Sequence, residues 1–584
     1  MTKLSQPLAI SLAISLSVKI SIDPLPVIPL IGSTLGEFQK YSDAYLVSAE
    51  IDSANKSGTV SIFYGRDGLY DNEIICEAIS SDSGTVFRSA TIPKIKPGLL
   101  TWKVVLTSDG RHYEAIGESY RIYPGTQNIA TEYSIPTMIG TTFYIDPSAA
   151  TNGSGTEVSP FNVLPVMGNS NTYLLKRGTT LTYTGYASRI GTIGTCTLGA
   201  YGEGDRPIIN WIVSGASEVR FIDATSNTGQ PVIIRDIKIK SDDIYGIGIY
   251  LANNPGSWIY NCEIEGFTWP IYTETHVFSP YSLQWAGLKI LYCTLHNHGF
   301  DGINARSVTD LEIGYTYIYD TNMYYWVNHP ANIHEDNSPG DGIQINSGCR
   351  NPLDPTGERI SQVTHLHHCT IDKSSTGNKM CVVTDSAISD FIFEYNHFIG
   401  QRSIPGNTVN GLYLNMGTQT NDNLVQYNLF EECATANAVY HNATFAYNKV
   451  INCNLGLVIN ANRVQRVYNN IFHNITGFAI NKLSNASANV HNNVYINCPS
   501  TVQFLSGGTN TNTHNHFDNS TVTGTNSTTG DCLINNKAEF NYYPLSNSPL
   551  INSGINVGLI LDAANEVVPQ GAGYDKGVYE YIII

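Results

Sequence analysis

Apolar residues in this chain alternate with polar ones over short runs, a period of two that predicts strands rather than helices. The run is cleanest near the N-terminus, where every even position from Leu8 to Ile22 is apolar and every odd one is Ala, Ser or Lys. Such a run makes a strand with one apolar face, so residues 1–30 are expected to form a docking strand. A signal peptide would need an uninterrupted apolar run and a small-residue cleavage site, and Lys19 breaks the run. Residues 31–125 keep the alternation with turn punctuation, and Asp109-Gly110 between two strand-like runs marks a hairpin. A small β-sandwich is expected there, followed by a polar linker over 126–141. No apolar stretch is long enough to span a bilayer, so no membrane insertion is expected.

From residue 259 the alternation becomes a repeat. Tyr or His followed by Asn, Cys or Thr returns as Tyr260-Asn261, Tyr292-Cys293, Tyr315-Thr316, His368-Cys369, Tyr395-Asn396 and Tyr427-Asn428. It continues as Tyr447-Asn448, Tyr468-Asn469, His491-Asn492 and His514-Asn515. The last four steps are 20, 21, 23 and 23 residues, and one earlier step reaches 53, where loops are inserted. A second column pairs Gly with an apolar residue: Gly246-Ile247, Gly302-Ile303, Gly342-Ile343, Gly411-Leu412, Gly456-Leu457 and Gly477-Phe478. Two columns in step describe a solenoid of short strands, in which each coil buries its apolar face only against its neighbours. A sandwich with Asn-rich turns would lack the constant short period. The solenoid is expected over 142–540, with an exit and cap segment over 541–584.

Composition narrows the function. Only 14% of residues are charged, and the net charge of −17 argues against a nucleic-acid partner, which needs clustered Lys and Arg. Eleven cysteines include no C-x-x-C pair. Several recur at equivalent places in the repeat, so they are expected to be small, buried, reduced side chains in a protein assembled in a cytoplasm. Cys433 and Cys453, each five residues past a ladder Asn, should be inward neighbours in consecutive coils.

The segment Thr141–Leu164, with FYIDPSAATNGSGTEVSPFNVL in it, is similar to the opening segment of many right-handed parallel β-helix proteins of phages and secreted bacterial enzymes. Tyr173–Leu181 and Leu198–Ile209 look like their following coils, and YYPLSNSPLINSGINVG with Gly571–Tyr581 resembles their exit segment. The resemblance covers roughly residues 141–584 and implies an all-β, right-handed parallel β-helix. Residues 31–125 resemble the small immunoglobulin-like domains of phage tail and baseplate proteins.

Candidate chemistry sits in the residues preceding the Gly column: Tyr245, Trp269, Asp301, Asp341, Lys379, Asn410 and Asn437. Only the middle of that series is charged, and the longest insertion lies beside it. Residues 320–340 offer Tyr324, Tyr325, Trp326, His334, Glu335 and Asp336, aromatic faces for sugar rings and carboxylates for acid/base work. Strands stacked about 4.8 Å apart would bring Asp301 and Asp341 within about 5 Å if both point outward. Their repulsion, roughly 3 kcal/mol at an effective dielectric of about 20, would hold one proton toward neutral pH. About 5–5.5 Å suits a retaining glycosidase; an inverting one would pair a wall Asp with Glu335 or Asp336 across a water. An Asp before Gly is also a common turn former, bonding its own backbone. Lys379 would neutralise Asp341 or act as the base of a lyase. Asn304, Arg306, Gln344, Asn346, Thr384, Tyr413 and Asn415 would continue the groove with hydrogen-bonding groups for hydroxyls. His365, His367 and His368 complete no metal site with any carboxylate spacing in the sequence, so neither metal nor cofactor is expected, and His368 reads as structural. As solvent-facing residues, Asp301 and Asp341 should tolerate Asn with little loss of stability.

The polygalacturonase pattern N-T-D, D-D, G-H-G, R-I-K is absent. The resemblance implies a phage tailspike-type depolymerase, a homotrimer held to the virion through its N-terminal region and tail or baseplate proteins, and acting on a bacterial surface polysaccharide. A secreted lyase or hydrolase and a non-catalytic adhesin are the alternatives.

Overall fold

The computed structural model describes the strands between residues 44 and 122. From 135 to 581 it describes all residues except 137, 186–189, 193–195, 213–218, 226–230, 243–245, 275–284, 307, 322–339, 347–363, 376–379, 385–390, 402–408, 415–422, 440–441, 461–463, 484, 506 and 565. The expected docking strand over 1–30 lies outside the described residues. Two compact units divide the chain between Ile135 and Pro136.

In the first unit, Ala44–Asp52, Thr85–Pro93 and Glu77–Asp82 form a three-stranded antiparallel sheet. Asn72–Ile75, Thr59–Arg66, Gly98–Ser108, Arg111–Ile116 and Tyr120–Ile122 form a second antiparallel sheet. Ser108 pairs with Arg111 across Asp109-Gly110.

The second unit is a right-handed parallel β-helix. Three all-parallel sheets of 14, 14 and 12 strands run its length, each coil giving one strand to each sheet in turn. In one coil, Phe391–Glu394 lies in the first sheet, His397–Ile399 in the second and Asn410–Leu414 in the third, and Asn423–Gln426 opens the next. Strands of two to six residues are short because the chain must turn three corners per coil. One continuous apolar core fills the interior from Ile145 to Phe517, with rings stacked along it such as Phe472, Tyr495 and Phe517 at 5.4 and 5.0 Å. No α-helix occurs among the described residues.

The corner between the first and second sheets explains the repeat. Its first position has positive φ, between 51° and 60° at Asn261, Tyr292, Tyr315, His368, Tyr395, Tyr427, Tyr447, Asn469, Asn492 and His514. The rings at this position stack outside the solenoid, Tyr292 on Tyr315 at 4.7 Å and Tyr395 on Tyr427 at 4.7 Å. The next residue is the buried ladder: Cys262, Cys293, Thr316, Cys369, Asn396, Asn428, Asn448, Asn470, Asn493 and Asn515. The sequence reading was one residue early at Asn261, Asn469 and Asn492. Tyr-Asn-Asn and His-Asn-Asn each contain two candidates, and Asn tolerates the left-handed conformation, so the first Asn takes the strained position.

In the ladder, Asn448 Oδ1 accepts both the main-chain N–H and Nδ2 of Asn428 at 3.0 Å, and Asn448 Nδ2 donates to Val425 O at 2.9 Å and Asn470 Oδ1 at 3.1 Å. Every buried amide there is satisfied by the coil above or below. Asn448→Ala should therefore orphan the Asn428 N–H and break the column, costing about 2–4 kcal/mol, read as a lowered urea midpoint.

The nine described cysteines are buried and none is in a disulfide; Cys76 and Cys349 lie outside the described residues. Cys433 and Cys453 are buried inward neighbours one coil apart, each thiol donating to main-chain carbonyls, Cys433 to Glu431 O and Cys453 to Ile451 O. After the parallel strands end at Thr528–Thr529, Ile534–Asn536 and Asn541–Pro544 form a hairpin. The chain then doubles back over the Tyr/Asn corner, where Tyr427 Oη donates to Leu561 O and Asn469 Nδ2 to Asp575 O.

Candidate functional site

The third sheet is the one flanked by long connections on both edges. The longest excursions lie before and after the Ile343–Asn346 strand, from Thr321 to Ile343 and from Asn346 to Thr364. In later coils the corresponding steps are short, as from Ile451 to Leu455 and from Ile459 to Gln465. The outward face of this sheet is the one these connections leave and rejoin.

Pairing register defines the outward column of this sheet: Asp223, Tyr250, Tyr272, Asn304, Gln344, Val383 and Tyr413, each opposite the next. Asn304 is itself buried, at 1% exposure, by the partners it bonds, and so is not open to a hydroxyl as expected. Asn304 Nδ2 donates to Gln344 Oε1 at 2.8 Å and to Asp301 Oδ2 at 2.7 Å, and Arg306 Nε donates to Asn304 Oδ1 at 3.1 Å. The Arg306 guanidinium stands 5.2 Å over the Tyr272 ring. Tyr272 stacks on Tyr250 at 5.9 Å, Trp269 meets Tyr272 edge-on, and Arg220 lies 3.4 Å over Tyr250, whose hydroxyl donates to Glu274 at 3.1 Å. Ile247, Tyr250, Ala252 and Trp269 are buried in an apolar cluster of their own, apart from the interior core.

At the leading edge of this sheet, Asp301 and Asp341 do occupy the same column on consecutive coils, since Ile303 pairs with Ile343. Asp301 Oδ1 accepts the Asp341 N–H at 2.8 Å, and Asp341 Oδ1 accepts the Met380 N–H at 2.9 Å. The expectation that both carboxylates face solvent fails at both: Asp301 is 0% exposed and Asp341 8%, so only Asp341 keeps an edge toward the surface. At Asp301 the cause is the entry of the next coil: a Cβ on Gly340 would come within 2.5 Å of the Asp301 nitrogen, so bare backbone lies over Phe300-Asp301. Burial first, and the Asp341 charge second, push the Asp301 carboxyl up to about 7. Repulsion alone, as read from the sequence, is the smaller cause. Behind the pair, fully buried Lys373 donates to Gly340 O at 2.8 Å, and burial and the Lys373 charge hold His298 well below the usual histidine range, neutral.

Lys379 is not the next member of the column. Ile343 pairs with Val382, so Met380 stands beside Asp341, and Lys379 itself lies outside the described residues. The same holds for Tyr245, where Ile247 pairs with Trp269, and for Asn437, where Thr435 pairs with Asn410. Thr384 pairs with Ile345 and is buried, so it does not line the outward face. Tyr324, Tyr325, Trp326, His334, Glu335, Asp336 and Asn415 lie outside the described residues; Asn346 pairs with Arg306 along the backbone, and nothing further of it is described.

Sequence reasoning missed Arg220, Tyr250, Tyr272, Glu274, His298 and Lys373. A signal existed for one of them. Tyr250 stands two residues after Gly248, as Asn304 does after Gly302, Gln344 after Gly342 and Tyr413 after Gly411. Gly246 was taken for the column instead because it carries its own requirement, a φ of +70°.

Fold and side chains together define a parallel β-helix with a polar and aromatic outer face along one sheet. Neither a protein-family model nor a curated protein matches the chain. Among solved structures it is similar to the catalytic unit of a thermostable GH87 alpha-1,3-glucanase from Streptomyces thermodiastaticus strain HF3-3, with 10% identity, 84% of this chain and 88% of that one covered, and a TM-score of 0.40. It is similar to XylC in complex with xylose, with 10% identity, coverage of 76% and 99%, and a TM-score of 0.40. Tailspike protein 3 of bacteriophage CBA120 is similar at 12% identity, coverage of 62% and 54%, and a TM-score of 0.32. The fold assignment rests on the strand pairing itself.

Proposed function

We propose that the third sheet is the floor of a polysaccharide-binding groove and that the protein cleaves its ligand by carboxylate-based glycoside hydrolysis. Asp341 is the acid or base that meets the bond. The observation that carries this reading is Asp341 at the edge of a floor whose Asn304, Gln344 and Arg306 form one hydrogen-bonded network anchored on Asp301. Asp301, buried behind, positions Asp341 through its main chain. A retaining pair made of the two wall carboxylates loses its second partner to burial. The inverting arrangement remains, in which Glu335 or Asp336 supplies the other carboxylate about 6.5–9.5 Å away with a water between. Tyr324, Tyr325 and Trp326 are the stacking platform for sugar faces in this scheme, and His334 and Asn346 further contacts. The lyase alternative has less support, because Lys379 is out of register with Asp341.

The wider proposal is a tailspike-type depolymerase of a bacterial surface polysaccharide, trimeric and attached to a virion through its N-terminal unit and tail or baseplate proteins. Its support is the antiparallel unit preceding the solenoid and the resemblance of the opening and exit segments. The test is incubation with purified capsule, O-antigen and exopolysaccharide from a panel of bacteria, following chain length, reducing ends and the absorbance of unsaturated sugars. Shortening with new reducing ends and no unsaturated product is expected. Retention of carbohydrate without shortening would make this an adhesin, and an unsaturated product a lyase.

A further inference from the structure

On the outer face of the first sheet, away from the groove floor, two histidines and two glutamates from three consecutive coils converge. Glu312 lies on Leu311–Gly314, His365 and His367 on Thr364–His367, and Glu394 ends Phe391–Glu394. Glu312 pairs with His365, Gly314 with His367 and His367 with Glu394. His367 Nε2 is 3.2 Å from Glu312 Oε1, and His365 Nε2 is 3.0 Å from Glu394 Oε1. Ligand atoms of Glu312, His365 and His367 all lie within 4.8 Å of one another. The spacing along the sequence hides this set, because the first carboxylate comes from the preceding coil, 55 residues before His367.

We propose that Glu312, His365 and His367 form a binding site for a borderline divalent cation of the Zn(II), Co(II) or Ni(II) class, with Glu394 placed to complete it. Two imidazoles and a carboxylate are the donor set such ions prefer. At metal–ligand distances of about 2.0–2.1 Å a tetrahedron has edges of about 3.3 Å, so the 3.2 Å between His367 Nε2 and Glu312 Oε1 already matches adjacent ligands, and the other atoms of the set close in from within 4.8 Å. Space for the ring is built in: a Cβ on Gly314 would come within 2.5 Å of the His367 ring, which lies over that glycine. The surroundings hold the donors in orientation, as outer partners of a metal site do. Lys289 pairs with the other Glu312 oxygen, and His367 Nδ1 is 3.0 Å from His368 Nδ1, so His367 turns its Nε2 toward Glu312.

Glu312 and His365 stand at the two ends of the one coil that carries Asp341 and the two longest connections. A cation bridging them closes that coil as a clasp, and closing a long loop is where a cross-link stabilises most. The site is thereby a stability device for the groove-bearing coil and does not depend on what the groove binds.

The full-length protein, stripped with EDTA and dialysed, is titrated with CoCl2, ZnCl2 and NiCl2. The expected result is about one equivalent of Co(II) bound with the intense visible band of a low-coordinate site, and a melting temperature raised by Zn(II). His365→Ala, a change at a side chain 38% exposed, and Glu312→Gln should each lose the band and weaken binding by on the order of 10²-fold. The metal-free melting temperature of His365→Ala should match that of metal-free wild type, which separates lost ligation from lost folding. No band in the wild type, or a band that survives both substitutions, overturns the site.

Discussion

Asp341→Asn is expected to lower the depolymerisation turnover by on the order of 10²-fold or more, the usual scale for losing a catalytic acid or base, while the protein stays folded. The reasoning starts from the hydrogen bond that Asp341 makes. Its Oδ1 accepts the Met380 N–H at 2.9 Å, and an Asn oxygen can accept the same bond, so the corner keeps its anchor. What Asn cannot do is carry a charge or pass a proton. Tyr413→Phe, at a half-buried position farther along the same sheet face, should instead raise KM with turnover little changed, because in the proposed groove it removes a hydroxyl that would contact sugar in ground and transition states alike. Reducing-end assays on both variants separate chemistry from binding. Wild-type turnover in Asp341→Asn would move the acid and base to Glu335, Asp336 or a groove between subunits.

The fold was legible because a solenoid writes each structural position once per coil. A ladder residue needs a small side chain that can satisfy the main chains above and below, and only Asn, Cys and Thr recur there. Errors arose where a neighbour met a different requirement with the same residue type. Asn469 and Asn492 are asparagines for the left-handed corner, whereas Asn470 and Asn493 are asparagines for the ladder. Gly246 has a φ of +70°, whereas Gly248 lets the Pro270 carbonyl approach to 2.7 Å of where a Cβ would be. Lys379 fell one place out for a related reason: a charged residue beside two carboxylates looked like a column, but the pairing runs through Met380. The site was legible only in part, since period-two logic assigns faces along a strand and says nothing of a corner. Asp301 sits at such a corner, with the next coil's backbone over it.

Asp301→Ala is expected to cost about 3–5 kcal/mol of stability at pH 5, where the reading of Asp301 as a solvent-facing residue would allow about 0.5 kcal/mol. Two buried donors lose their acceptor, the Asp341 N–H and Asn304 Nδ2. Asp301→Asn should fall between, keeping one acceptor but setting its own amide against Asn304 Nδ2, from which Asp301 now accepts at 2.7 Å. The cost should also depend on pH in a definite direction. Burial and the Asp341 charge raise the Asp301 carboxyl from 3.8 in the ordinary state to about 7 in the folded one. Between those values the folded protein holds a proton that the unfolded chain has released, so this group's contribution to wild-type stability falls as pH rises from about 4 to 7. The Ala variant has no such group and escapes that fall. The gap between wild type and Asp301→Ala should therefore be widest near pH 4, narrow steadily to pH 7 and stay constant above it. Urea midpoints of both proteins at half-unit intervals from pH 4 to 8 measure the gap directly. A gap that stayed flat from pH 4 to 8 would mean that Asp301 is held ionised in the fold by Lys373 rather than protonated by its burial.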